Sequence, residues 1–132
     1  MLNPEATATE HRTLIPIYNG KGDAEAFLAY PNLFNRNGDW IGWVTPQREV
    51  YSVLGYYVGY LSDEPRVLRK RVTSTLKPRL RPPAPPRRIF PPATIPLAPM
   101  MKELMFSTID VLLETPELLH ALDGGELRED LD

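Results

Sequence analysis

Asp23 and Asp39 each follow a glycine, in the runs GKGDAEAF and RNGDWIGW. A pair of carboxylates is one arrangement that performs general acid and base catalysis. The related run LGYYVGY carries Tyr56 in the same slot, so the carboxylate is not a constant of the pattern. Turn chemistry accounts for both aspartates first, because aspartate is favoured beside glycine in hairpin loops. His120 follows Leu118 and Leu119 in a stretch that reads as helix, and nothing pairs with it in sequence, so it reads as a surface or packing residue. The absence of cysteine excludes disulfides, thiol catalysis and sulfur-based metal sites, and His11 and His120 alone make no histidine-rich centre. No catalytic residue, metal site or cofactor is inferred. The chain reads as non-enzymatic, with no small-molecule substrate.

What remains is charge. Arg66, Arg69, Lys70, Arg71, Lys77, Arg79, Arg81, Arg87 and Arg88 occur with no acid among them, giving a segment of +9 in a chain of net charge −2. From Glu103 to Asp132 the sign reverses, to −8. Such basic side chains neutralise phosphates without reading sequence, and Trp40 and Tyr57, which share one slot of the repeat described below, are candidate surfaces for stacking on bases. Nucleic-acid binding by the basic arm, masked by the acidic end from Glu126 to Asp132, is therefore the alternative function. The two segments should also attract each other, less so as salt rises.

These groups sit on a repeat. IYNGKGDAEAFL from Ile17, LFNRNGDWIGWV from Leu33 and VYSVLGYYVGYL from Val50 match position by position, and VLRKR at Val67 opens a fourth unit that then loses the pattern. Each unit has an apolar-aromatic opening, a polar pivot ending in Gly22, Gly38 or Gly55, and a second apolar run. That is a β-hairpin, and Asn37-Gly38 suits a type I′ turn, which needs positive φ at both residues. A small residue recurs in the second strand (Ala26, Gly42, Gly59), where a neighbouring backbone or ring should come close. Aromatic residues follow it (Phe27, Trp43, Tyr60) and read as core of the repeat. Proline ends each unit at Pro31, Pro46 and Pro65. An isolated hairpin is marginal in water, so the units should pack together around an axis, where closure removes open sheet edges.

This pattern of xNGxxxGW-type units resembles the bacterial family described as four-fold β-flower proteins, and the resemblance extends into the proline-rich stretch and the tail FSTIDVLLETPELLHALDGGELREDLD. It implies a mainly β fold, a closed pseudo-four-fold arrangement of short hairpins, and brings no established activity with it.

The expected organisation is a flexible N-terminus over residues 1–13, a four-fold hairpin domain over 14–76, a Pro/Arg-rich extended arm over 77–99 and an acidic tail with short helices over 100–132. Nine of the 15 prolines lie between Pro78 and Pro99, which rules out ordinary helix or sheet there. The arm reads as a semi-rigid spacer, or as a ligand for aromatic grooves through PPAPP at Pro82. In the tail, Ser107 suits the cap of a helix through Leu113, Thr115-Pro116 suits a second start, and Asp123-Gly124-Gly125 a stop. Leu104, Phe106, Ile109, Leu112, Leu113, Leu118, Leu119 and Leu122 form an apolar set that should dock on the chain's own hairpins, a symmetry mate or a partner. The N-terminus has neither the basic start nor the apolar run of a signal peptide, and no apolar segment is long enough to span a bilayer, so the expected location is cytoplasmic and no membrane partner is inferred. An interaction or assembly module, with a homo-oligomer or an unidentified protein as partner, uses most of these features at once.

Overall fold

A computed structural model describes residues 13–72 and 76–122. Each glycine-tipped unit forms an antiparallel hairpin: β1 (Ile15–Tyr18) with β2 (Ala24–Ala29), β3 (Asn32–Asn35) with β4 (Trp40–Val44), and β5 (Glu49–Ser52) with β6 (Tyr57–Leu61). β7 (Val67–Lys70) pairs with β8 (Thr108–Asp110), Leu68 lying opposite Asp110. The eight strands run in sequence order as one antiparallel sheet, curled into a half-barrel.

The fourth hairpin corrects the expected organisation. Its second strand is not adjacent to Val67 but follows a connection running from residue 71 to residue 107. The division expected at residue 76 therefore cuts through the sheet, and the arm lies inside the fourth hairpin instead of beyond the β domain. The same pairing overrides the helix expected from Ser107 to Leu113. Thr108–Asp110 satisfy the edge of β7, and only Val111–Glu114 become helix (α1), with Asp110 preceding the first turn but not capping it through its side chain. Thr115-Pro116 opens a single 3-10 turn, Pro116–Leu118, with proline in its first turn. The stop expected at Asp123-Gly124-Gly125 lies outside the described residues, as does the acidic end from Glu126.

The hairpin tips also differ from the type I′ turn expected at Asn37-Gly38. Only the glycines have positive φ there: +88° at Gly22, +87° at Gly38 and +91° at Gly55. Their amides donate to the carbonyls of Asn19, Asn35 and Ser52 at 3.0, 3.0 and 2.9 Å, closing an i to i+3 turn. The side chain of the turn's first residue selects this longer loop: Asn35 Oδ1 accepts the amides of Asn37 and Asp39 at 2.9 and 3.0 Å, and Asn19 and Ser52 do the same in their units. The aspartates after the glycines are thus elements of the turns.

At the centre lie Ile17, Leu33, Val50 and Val67, one from each hairpin and at most 1% exposed. Ala26, Gly42 and Gly59 stand directly across from the first three. A β-carbon on Gly59 would collide with the carbonyl oxygen of Leu68, and one on Gly42 would lie 2.6 Å from that of Tyr51 and 2.8 Å from Leu119 Cδ2. The small residue is what lets the next strand and the tail approach. Phe27 is fully buried, while Trp43 and Tyr60 are half-buried. Trp43 stacks on Tyr51 (ring centroids 5.1 Å apart), which meets Tyr57 edge-on at 5.7 Å, a cross-strand ladder over β4, β5 and β6. Val111, Leu112 and Leu119 complete the central core, with Leu118 and Ala121 against it. No helix among the described residues is long and apolar enough to cross a membrane.

Candidate functional site: the arm on the hairpin tips

An extended proline-rich chain turns once in three residues, so every third residue faces the same way and any multiple of three restores the contact. In the arm, Leu80, Pro86, Ile89, Ile95 and Ala98 are half-buried and share one such face, on which Pro83 and Pro92 are exposed, while Arg81, Ala84, Arg87 and Phe90 on another are all exposed. Leu80, Ile89 and Ala98 recur at nine-residue intervals, and each lies over one hairpin tip, taken in reverse order along the chain. Nine extended residues cover about 28 Å, and that length of arm joins one station to the next.

The first two stations are alike in detail. The amide of Leu80 donates to the Gly55 carbonyl at 2.9 Å, and that of Ile89 to the Gly38 carbonyl at 3.0 Å. The preceding arginine donates to the carbonyl just before the glycine: Arg79 Nε to Leu54 at 2.7 Å, Arg88 Nε and Nη2 to Asn37 at 2.9 and 2.7 Å. Each guanidinium also meets the residue after the glycine, Arg79 over the Tyr56 ring at 4.8 Å and Arg88 Nε beside Asp39 Oδ1 at 3.5 Å. Absence of a β-carbon at Gly38 and Gly55 is what admits the arm, since a methyl there would run into the carbonyls of Ile89 and Leu80. Ile89 also packs on the cluster of Ala29, Phe34, Trp40 and Val53. At the tip of the first hairpin the arm is held by Tyr18, whose hydroxyl donates to the Pro96 carbonyl at 2.7 Å.

Past that tip the chain meets a two-point clamp. Glu64 Oε2 accepts the Lys102 amide at 2.8 Å, Arg66 Nη2 donates to the Lys102 carbonyl at 2.9 Å, and Arg66 and Glu64 pair at 2.6 Å. The Lys102 amide is the main reason the Glu64 carboxyl sits below its ordinary range, with Arg66 adding to it against a smaller effect of desolvation. Nearby, Gly20 donates its amide to Asp110 Oδ2 at 2.5 Å, and the Tyr18 amide donates to the Pro65 carbonyl at 2.8 Å, so the first hairpin is tied to β8 and to the β6–β7 loop. Burial raises the Asp110 carboxyl above its usual range, opposed by the Gly20 amide and Arg66. A cleft of about 480 Å³ opens here between Gly20, Arg66, Leu104, Phe106 and Asp110. Asp110 and Arg66 both line the cleft, although each is almost wholly buried. Among the described residues no group of three or more His, Asp or Glu side chains is placed to hold a metal ion.

The basic residues are thus largely engaged within the chain. Arg66 is 3% exposed. Arg69 donates to the Tyr57 and Val58 carbonyls, Arg71 donates to the Phe106 carbonyl and pairs with Glu114, and Lys77 pairs with Glu49 at 2.7 Å, which raises the lysine's pKa. Lys70, Arg81 and Arg87 have no such partner among the described residues. Of the candidate stacking residues, Trp40 is 7% exposed in the cluster under Ile89, with no face open to a base, and Tyr57 is half-buried beneath Arg69 and Lys77. The apolar tail divides. Leu112 and Leu119 enter the core, Leu118 and Leu122 pack on its edges, and Leu104 and Ile109 are half-buried. Phe106 and Leu113 stay exposed, contrary to the docking set expected, because Phe106 lies on the connection under the Arg71 guanidinium and Leu113 points away from the core on α1. The stations were missed from sequence; the signal for them was RLRPPAP recurring nine residues later as RIFPPAT.

Compared with family models, curated proteins and solved structures, the chain gives no match in any of the three.

Proposed function

We propose that this chain is a non-enzymatic assembly module that associates with copies of itself. The platform is a closed four-fold flower, a reading supported by the Gly20–Asp110 and Tyr18–Pro65 hydrogen bonds that tie its first hairpin to β8 and to the β6–β7 loop. The observation that carries the function is on the connection. Phe90, Leu97, Met100, Met105 and Phe106 are 88, 95, 101, 75 and 82% exposed, although the backbone around them is fastened at three hairpin tips and at the Lys102 clamp. Large apolar side chains held outward on a fastened backbone lose little further freedom on association, and their burial supplies its driving force. A second copy is the occupant favoured by the charge pattern, since Arg81 and Arg87 face outward on the same arm and acidic side chains such as Asp23 face outward on the hairpin tips. Within the basic run from Arg66 to Arg88, nucleic-acid binding would have to draw on Lys70, Arg81 and Arg87, which pair with nothing among the described residues.

Light scattering coupled to size exclusion, with sedimentation equilibrium, tests this reading. The expected result is a mass that is a multiple of 15.0 kDa and falls toward one chain in the triple variant Phe90→Ser, Leu97→Ser, Phe106→Ser. A wild-type chain that remains monomeric up to its solubility limit overturns it.

A further inference from the structure

The three stations of the arm are unequal. At the second and third hairpins an arginine of the arm reaches the carbonyl before the tip glycine and the side chain after it. At the first hairpin the corresponding groups are the Lys21 carbonyl and the Asp23 carboxylate, and the arm presents Leu97 where Arg79 and Arg88 stand, 95% exposed. Ala98 lies over Gly22, 3.7 Å from where a β-carbon would be, but its amide makes no bond to the Gly22 carbonyl corresponding to those of Leu80 and Ile89. A cleft of about 240 Å³ lies here, lined by Tyr18, Gly22, Asp23, Ile95, Pro96 and Leu97. Arg36 is also on its rim, paired with Glu25 at 3.9 Å rather than with Asp23.

We infer that the tip of the first hairpin is a binding site for the guanidinium of an arginine carried on an extended proline-rich segment of another chain, and that the segment is the arm of a second copy around Arg87. The sister hairpins show the chemistry: a turn carbonyl accepts from the guanidinium while the carboxylate or ring beside it balances the charge. The first hairpin keeps the carbonyl and carboxylate, and its own arm brings it neither the arginine nor the amide hydrogen bond. Arg87 has the required chemistry, since it sits exposed on an extended backbone and pairs with nothing among the described residues. A single exposed pair of this kind is weak, and repetition around an assembly is what would give it effect. This inference names the contact that the self-association reading needs.

The test is a titration of full-length, isotope-labelled protein with the peptide PPRRIFPPA, residues 85–93, followed by amide chemical shifts. Saturable shifts are expected at Lys21, Gly22, Asp23 and Ala24. Affinity should fall about fivefold in Asp23→Asn, the scale of one exposed ion pair, and similarly when citrulline replaces both peptide arginines. Leu97→Arg should remove the binding, because the arm then fills its own station; Leu97 is exposed enough that this change leaves the fold intact. Shifts confined to other residues, or an affinity indifferent to both Leu97→Arg and Asp23→Asn, overturn the site. Asp23-dependent binding to a chain that stays monomeric keeps the site but removes the second copy as the source. Self-association with an indifferent Asp23 keeps the assembly reading and removes this site.

Discussion

The amide of Ile89 donates to the carbonyl of Gly38 across a loop closure of fifty-odd residues, and the two backbones approach so closely that no side chain fits at Gly38. The tip of the second hairpin is therefore both a turn and a receptor for the arm. Gly55 repeats the relationship with Leu80, whereas at Gly22 a β-carbon would meet only the methyl of Ala98, at 3.7 Å.

Alanine at the three tip glycines should separate these roles. All three have positive φ, which costs an alanine about 1–2 kcal/mol. Gly22→Ala should lose about that much in urea unfolding. Gly38→Ala and Gly55→Ala should lose more, and should speed amide exchange at Ile89 and Leu80 respectively. Equal losses at all three positions would mean that the arm contributes nothing to stability.

Two carboxyls should bend the pH dependence of stability in opposite directions. Asp110 is held above its ordinary range, with burial as the largest cause, so its contribution is fully present below the pKa of the unfolded chain and is lost as pH rises through the folded value. Glu64 is held below its ordinary range, chiefly by the Lys102 amide, so its contribution is present above the unfolded pKa and lost as pH falls through the folded one. Between about pH 3 and 7, spanning the ordinary carboxyl range, the stability of wild type minus Asp110→Asn should decline with rising pH. Wild type minus Glu64→Gln should increase. Urea midpoints at each pH measure both, and two curves of the same slope would contradict the assignment.

The tail's apolar residues should respond according to where each side chain lies. Leu119 is 6% exposed and fills the space over Gly42, so Leu119→Ala should cost about 3 kcal/mol. Phe106 is 82% exposed, and Phe106→Ser should change stability by no more than about 1 kcal/mol, the scale of its exposed contact with Arg71. Thermal and urea unfolding of the two variants make the comparison.

Because Arg71 and Ser107 are already joined by a 2.8 Å backbone hydrogen bond, the long connection between β7 and β8 is replaceable. A chain in which residues 72–106 give way to a loop of about four residues, a common hairpin length, should keep the eight-stranded sheet by circular dichroism. Its thermal midpoint should fall, and amide exchange at the hairpin tips should quicken. Failure of this chain to fold would show that the arm is required to form the sheet and not merely to fasten it.

The sequence by itself determined the hairpins. A turn residue, a left-handed glycine and alternating apolar positions act within a dozen residues, so the three units at Ile17, Leu33 and Val50 were legible, as were the small residues opposite the core. It also determined that the arm is extended, since proline fixes the backbone wherever it stands. Two things were decided only by the tertiary structure, because each depends on pairing across a long loop. One was the partner of β7: Thr108–Asp110 carry local signals for helix, and the open edge at Val67–Lys70 prevailed over them. The other was the course of the arm. A nine-residue repeat in an extended chain has no meaning until hairpin tips stand one stride apart to receive it. That placement turned a segment that read as a spacer and a basic run into a fastening laid along the chain's own tips, with most of its charges spent on carbonyls and carboxylates of the same molecule.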